Sequence, residues 1–341
     1  MNLTQLNSPD SLHELSSNTS DTNNPLRISV VIIAKAAQDS IRYTLDSLRG
    51  QSRKPDEILV VVPSMDDGTV LTAREYGVPV EMDPNDTRGS ARAVGVTKTK
   101  GDIVVFIDAE CIAHPEWIKV LETVYLDKKE VLIQGGPIHR TLNLKNASMT
   151  KTLPPCYPLR YVNFVPTANL SFRRKVVEIA GNFNERLHEG EDLEFCIRVR
   201  AHKIPIALNP AAIVLHLDKT TGSLVKRYAN YGRSRAKVLF IHKRSVLPAA
   251  LVAIFHILLI PVAILALILL RYDIFLIAVG LPLAHQIYKF SRATWQINDP
   301  TLSAFLLDIL LSYTLYFFFM WRLLQSIFNP RARKRITERK K

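Results

Sequence analysis

The chain has 341 residues, a formal net charge of +13, and 48% hydrophobic against 22% charged residues. That length allows one large or two modest cores. Three cysteines, Cys111, Cys156 and Cys196, with no Cys-x-x-Cys pair exclude a disulfide framework or a zinc knuckle and read as buried thiols in a reducing compartment.

Residues 1–27 are rich in Ser, Asn and Thr and too poor in apolar side chains to offset chain entropy, so they are expected to be disordered. No apolar core follows the first Met, which argues against a secretory signal and for a catalytic portion on the cytoplasmic side. From Ile28 the pattern turns to strand, helix, strand. ISVVIIA is a β-branched run suited to a strand covered on both faces. Ile41, Leu45 and Leu48 make a helical stripe, and EILVVV (57–62) is a second strand closed by Pro63 to Gly68. YGVPVEM is a weaker third strand, GSARAVGVTKTK a helix, and DIVVFID a further strand. Strands alternating with helices predict an α/β fold with a mostly parallel sheet flanked by helices. In such sheets ligands sit beyond the carboxyl ends of the strands.

Asp108 closes one of those strands, and Ala109 then Glu110 follow. Two carboxylates one residue apart can offer oxygens to a hard divalent cation while a diphosphate supplies others. They can equally be acids that end a strand in solvent. Further on, Glu189, Glu191, Asp192 and Glu194 crowd the start of a helix carrying Leu193, Phe195, Cys196, Ile197 and Val199. Acids there are favoured by the helix dipole and exposed N–H groups; alternatively, one of them is a general base. His188 lies beside this cluster, within reach of an acceptor. His216, after AIVL, reads as a strand-end histidine or as a donor-phosphate or metal contact.

The C-terminal part is apolar. Residues 246–270 carry no formal charge and are long enough to span a bilayer, with a kink or break expected at Pro261. Residues 302–320 form a second expected span, bounded by Trp321 and Arg322 and holding one costly residue, Asp308. Residues 274–288 are a short third span or a re-entrant segment. His256 and His285 fall in this half with no partner legible in the sequence. Basic blocks at 226–244 and 331–341, the latter with seven basic residues and one acid, adjoin the apolar runs. They favour an anionic membrane face over nucleic acid, for which no interleaved aromatics or recognition helix speak. Both blocks prefer the cytoplasm, so two full spans with a non-crossing middle segment are expected.

Taken in order, ISVVIIA, SLRGQSRKPDEILVV, RGSARAVGV, GDIVVFIDAEC, TANLSFRRKVVEIAGNFNERL and EGEDLEFCIRVR resemble the inverting family-two glycosyltransferases, in particular membrane-associated, non-processive members that build surface glycans. The resemblance covers roughly residues 28–237 and implies a GT-A-like catalytic domain there. The membrane region would be 238–330 and the basic tail 331–341, in a multi-pass protein of the cell membrane. It implies a nucleoside-diphosphate sugar donor, a divalent cation (Mn²⁺ or Mg²⁺), a lipid-linked or saccharide acceptor, and membrane lipids and glycan-assembly proteins as partners. Asp108 and Glu110 match the metal- and diphosphate-binding acids, with Glu110 in place of the usual Asp. Glu191 and Asp192 match the downstream acidic pair, Asp192 being the catalytic base. Arg92 matches a basic residue near the donor, and Lys35 stands at a strand exit within reach of a phosphate. The aspartate that usually contacts the base is replaced by Pro63, with Asp66 or Asp67 as its substitute after a local shift. The Gln-x-x-Arg-Trp motif of processive synthases is missing; RYANYGRSRAKV stands there instead, with Arg233 as a supporting residue. A membrane-bound scaffold that keeps the fold without the chemistry is the alternative.

Overall fold

The computed structural model describes residues 26–141, 158–217, 221–297 and 302–328. Nearly all of the expected disordered segment, the basic tail and Cys156 lie outside them. The first part of the chain alternates strands β1 (Ile28–Ile33), β2 (Glu57–Val62), β3 (Val80–Met82) and β4 (Ile103–Asp108) with helices α1 (Ile41–Arg49), α2 (Thr69–Glu75) and α3 (Arg88–Lys98). After Asp108 come β5 (Cys111–Ala113), α4 (Trp117–Asp127), β6 (Ile133–Gly135), β7 (Ile138–Thr141), β8 (Arg160–Val162) and β9 (Asn169–Arg173). Then follow α5 (Lys175–Ala180), α6 (Glu191–Ala201), β10 (Ile206–Leu208) and β11 (Val214–Leu217).

Eight strands form one sheet in the order β3-β2-β1-β4-β9-β6-β10-β8, and β5-β11-β7 form a second. The β-branched runs behave as a strand buried on both faces must. Ile28, Val30 and Ile32 of β1 pack with Ile103, Val105 and Ile107 of β4 under α1 and α4. Their alternates Val31, Val104 and Phe106 pack on the opposite face with Val96 of α3, Val176 of α5 and Phe195 of α6. Each such fully buried side chain contributes roughly 1.5–3 kcal/mol.

The four expected strands β3, β2, β1 and β4 pair in parallel, so their carboxyl ends share one edge. The parallel order ends there. Strand β9 runs antiparallel between β4 and β6, pairing Asn169 with Ile107, so its first residue arrives at the edge where Asp108 leaves. The large sheet is therefore mixed rather than parallel throughout. Apolar alternation reports which faces are buried and carries no information on strand direction.

Four long helices follow: α7 (Thr221–Ile241), α8 (Lys243–Ile268), α9 (Tyr272–Ile297) and α10 (Leu302–Phe328). Helix α8 runs unbroken through Pro261. Leu251–Ile268 is the one stretch among the described residues long and apolar enough to cross a membrane. The 274–288 segment is the middle of α9, and the Asp308 side chain lies outside the described residues. His256 and His285 partner each other: Nε2 of His256 lies 2.9 Å from Nδ1 of His285, and its Nδ1 lies 3.3 Å from the Tyr313 hydroxyl. Helix α7 passes the residue-237 boundary without a break and packs on α10 so closely that a Cβ on Gly232 would stand 2.2 Å from the Leu315 carbonyl oxygen.

The two sheets meet equally tightly. A Cβ at Gly136 would lie 1.8 Å from the Ala212 carbonyl oxygen, a backbone atom anchored by the Asn169 side chain, which donates to it at 2.7 Å. Gly136→Ala is expected to destabilise the protein by roughly 1–3 kcal/mol, read as a lower melting temperature by scanning fluorimetry of the purified full chain. An unchanged melting temperature would contradict this packing.

Candidate functional site

Strand β4 carries Asp108 to the sheet edge because every residue before it is buried, and the Asp108 side chain stays 30% exposed. Ala109 is buried and turns the chain, so that Glu110 and β5 leave the large sheet for the small one. There β11 pairs antiparallel with β5, setting His216 opposite Cys111. The Leu217 N–H donates to the Glu110 carbonyl at 2.9 Å. This register brings the buried His216 Nε2 to 3.5 Å from Glu110 Oε1. Asp108, Glu110 and His216 thus offer three potential ligand atoms all within 4.8 Å of one another. Burial alone would raise the Glu110 carboxyl; contact with His216 and the field of Arg88 outweigh it and hold the group below its usual range. Cys111 and Cys196 are free, buried thiols.

The second acidic group arrives by a different route. Thr87 caps α3, its hydroxyl accepting from the Ser90 N–H at 2.9 Å. The next residue but one, Gly89, donates its N–H to Leu187 at 2.9 Å, and a Cβ there would meet the Asn184 carbonyl oxygen at 2.0 Å. The start of α3 is therefore docked on the loop that leads to α6. Gly190, at φ +78°, caps α6 in a left-handed conformation that favours glycine. Beneath, Phe183 stacks on Phe195 at 4.3 Å and meets Phe106 of β4 edge-on at 5.4 Å. These rings fix α6 against the sheet.

Arg92 closes the gap. It is 5% exposed; one guanidinium nitrogen donates to Glu191 Oε1 and another lies 3.7 Å from Asp108 Oδ1. Glu191 is itself 3% exposed, and its second oxygen has no hydrogen-bond partner. Burial pushes its carboxyl up to about 7, against the pull of Arg92. Asp192 is half-buried, and its Oδ1 accepts from the Leu193 N–H at 2.8 Å. Burial raises this carboxyl too; Arg92 and that N–H oppose the rise, while the charge of Asp108 adds to it. The charges of Asp108 and Asp192 thus lie within range of one another.

Other residues border these acids. Desolvation works against the charge of Arg88, one turn before Arg92, but the fields of Glu191, Asp108, Glu189 and Asp192 outweigh it and raise its pKa. From α7, Tyr231 and Arg235 lie within electrostatic range of Asp192. Of these, Arg88 was legible as the residue four before Arg92 on one helical face. His216 as a neighbour of Glu110 depends on strand pairing that no local pattern encodes.

The remaining expected residues stand apart from this cluster. Lys35 and Asp67 share the sheet edge but are occupied in the loops. Lys35 pairs with Asp86 at 2.8 Å, both exposed. Asp67 accepts from the N–H groups of Ala36 at 2.8 Å and Thr69 at 2.9 Å, and although burial works the other way, these bonds and the Thr69 hydroxyl hold it below the usual carboxylate range. It supports Ala36 at φ 49° and so shapes the loop after β1. His188 is exposed on the loop before α6. Arg233 turns away to α10, 4.9 Å from the Phe318 ring centroid, beside Asn230.

Residues 29–179 match the family model described as glycosyl transferase family 2. They form a family 2 glycosyltransferase domain. The chain is 25% identical over 240 residues to the pre-mycofactocin glycosyltransferase of Mycobacterium tuberculosis, covering 65% of this chain and 49% of that one. It therefore spans about half the length of that relative. Glycosyltransferase AglE of Haloferax volcanii is 24% identical over 64% of this chain and 76% of its own. The amylovoran biosynthesis glycosyltransferase AmsB of Erwinia amylovora is 28% identical over 51% and 64%. Among solved structures, that of GalNAc-T7 with UDP, GalNAc and Mn²⁺ aligns with a TM-score of 0.48 at 16% identity, over 64% of this chain and 48% of that one.

Glu191 has a folded pKa of about 7 against an ordinary 4.5, so its share of stability is full below 4.5 and is lost as pH rises through 7. The melting temperature of Glu191→Gln relative to wild type is therefore expected to climb across that window. A difference independent of pH would show that Glu191 remains ionised beside Arg92.

Proposed function

We propose that the protein transfers a sugar from a nucleoside-diphosphate sugar to a hydroxyl of an amphiphilic, lipid-linked acceptor, with inversion at the anomeric carbon. One observation carries this reading: Asp108 at the end of β4 and Asp192 at the start of α6 stand close enough for their charges to interact, with Arg92 bonded to Glu191 and 3.7 Å from Asp108. Asp192 is the base. Its neighbour Glu191 is committed to Arg92, whereas Asp192 is half-buried and, among the described residues, its carboxylate accepts only from its own helix end. The acceptor O–H gives its proton to the Asp192 carboxylate as its oxygen bonds to the sugar carbon; the carbon–phosphate oxygen bond breaks, and the electron pair leaves with the diphosphate. A single displacement of this kind inverts the configuration.

Two carboxylates and an imidazole within 4.8 Å suit a divalent cation, and the nitrogen ligand favours Mn²⁺ over Mg²⁺. Asp108, Glu110 and His216 would hold it. When bound, the cation supplies charge stabilisation for the leaving diphosphate. Arg88, exposed in the same cleft, adds a further positive group on the donor side. The relatives, named as glycosyltransferases, support sugar transfer. The apolar stretch Leu251–Ile268 supports attachment to a membrane, with residues 28–237 as the catalytic domain on its cytoplasmic face and 238–330 as the membrane region. Attachment restricts the search for an amphiphilic acceptor.

A donor screen on the reconstituted full chain, reading nucleoside diphosphate release with Mn²⁺ and membrane lipid extract, tests the reading. Asp192→Asn is expected to lower lipid-dependent release at least 100-fold while sparing metal-dependent donor binding. Because the Asp192 pKa is raised, the wild-type rate should climb with pH as that carboxyl ionises. Full turnover by the variant removes Asp192 from the base role. His216→Ala should weaken Mn²⁺ activation; identical Mn²⁺ titrations for variant and wild type would exclude His216 as a ligand.

A further inference from the structure

The arginines around the cleft have separate fates. Arg92 is held by Glu191 and Asp108, Arg198 by Glu194, and Arg233 by Phe318 and Asn230. Arg235 is half-buried, yet it makes no hydrogen bond and no ion pair among the described residues. Within electrostatic range of it are Tyr316 of α10, Tyr228 and Tyr231 of its own helix, and Asp192 at the start of α6. A half-buried guanidinium without an anion loses solvation with nothing in return, so such a group is best explained by an anion that arrives from outside. Burial accordingly lowers the Arg235 pKa, against the fields of those neighbours.

The place of Arg235 narrows what that anion belongs to. Helix α7 is wedged between the candidate base and the apolar helices. On one side a Cβ at Gly190 would stand 2.9 Å from Ser234 Cβ; on the other, Gly232 touches the Leu315 backbone. Arg235 follows directly on Ser234, at the passage from Asp192 to α10. Along α10, Leu310, Phe317 and Trp321 are exposed. In the sugar-transfer reading the donor diphosphate belongs to the cation that Asp108, Glu110 and His216 would hold. An anion at Arg235 is therefore a second one, beside the base and next to an exposed apolar surface.

We propose that Arg235 binds a phosphate carried by the acceptor, an amphiphile whose hydrocarbon chain runs along α10 and whose reacting hydroxyl reaches Asp192. This deepens the sugar-transfer reading and rests on it. Guanidinium recognition of phosphate takes two parallel N–H donors, a geometry that lysine lacks. A phosphate at this position could come from the acceptor or from a bilayer headgroup, and the experiment separates the two.

The full chain is reconstituted in phosphatidylcholine nanodiscs, and binding of farnesyl phosphate and of farnesol is measured by thermophoresis. Inorganic pyrophosphate with Mn²⁺ serves as the probe of the donor side. Wild type should bind farnesyl phosphate at least tenfold more tightly than farnesol. Arg235→Gln should abolish that preference, Arg235→Lys should retain part of it, and neither should alter pyrophosphate–Mn²⁺ binding. A preference that survives Arg235→Gln overturns the proposal, as does a loss confined to pyrophosphate, which would assign Arg235 to the donor. If phosphatidylglycerol in the discs erases the preference, a bilayer headgroup is the occupant and the acceptor assignment fails. Failure of the sugar-transfer reading looks different: pyrophosphate–Mn²⁺ binding in wild type would then be insensitive to Asp108→Asn. Melting curves of both Arg235 variants guard against misfolding as the cause of any loss.

Discussion

A single buried guanidinium sets the geometry of the cleft. Arg92 reaches Glu191, 99 residues away along the chain, and Asp108 at the end of the fourth strand. Without it, the carboxylates of Asp108, Glu191 and Asp192 would repel one another across a poorly solvated gap, where charges interact several times more strongly than in water. With it, the sheet edge and the start of α6 are drawn together. The same ion pair separates the adjacent acids by task. Glu191 is buried against the arginine, and Asp192 is left facing the cleft.

A second constraint joins this cleft to the apolar helices. Helix α7 touches the α6 cap through Ser234 and the α10 backbone through Gly232. Its end is held by His242, which lies 3.1 Å from Glu194, an acid that is 2% exposed and also bound by Arg198. Glu194 stands two residues beyond Asp192 on the same helix, so the junction where α7 gives way to α8 bears directly on the element that carries the candidate base. The apolar helices therefore adjoin the candidate site and are not tethered at a distance from it. This arrangement suits a substrate that is sugar at one end and hydrocarbon at the other.

Packing distances also explain why the apolar half tolerates its histidines. His256 is 1% exposed inside α8, a costly place for an imidazole without partners. The hydrogen bonds to His285 and Tyr313 satisfy both ring nitrogens and tie three helices at one level. These residues are 29 and 57 positions from His256, too far for any pattern in the chain to link them.

The amino-acid sequence by itself determined what depends on local composition and period. The β-branched runs from Ile28, Glu57 and Ile103 can only be strands covered on both faces, and they pair in parallel as their alternation with helices demanded. It likewise placed Asp108 at the carboxyl end of a strand and Glu191 and Asp192 at a helix start, since a strand's end and a helix's first turn are written in neighbouring residues. Tertiary structure alone decided what depends on pairing. The antiparallel entry of β9, the small sheet that sets His216 beside Glu110, and the commitment of Arg92 to Glu191 and of Arg233 to Phe318, with Arg235 left without an ion pair among the described residues, all follow from contacts between distant segments. A side chain's type states what it can bind; only the fold determines which partner stands within 4 Å of it, because that distance is set by the packing of the whole backbone.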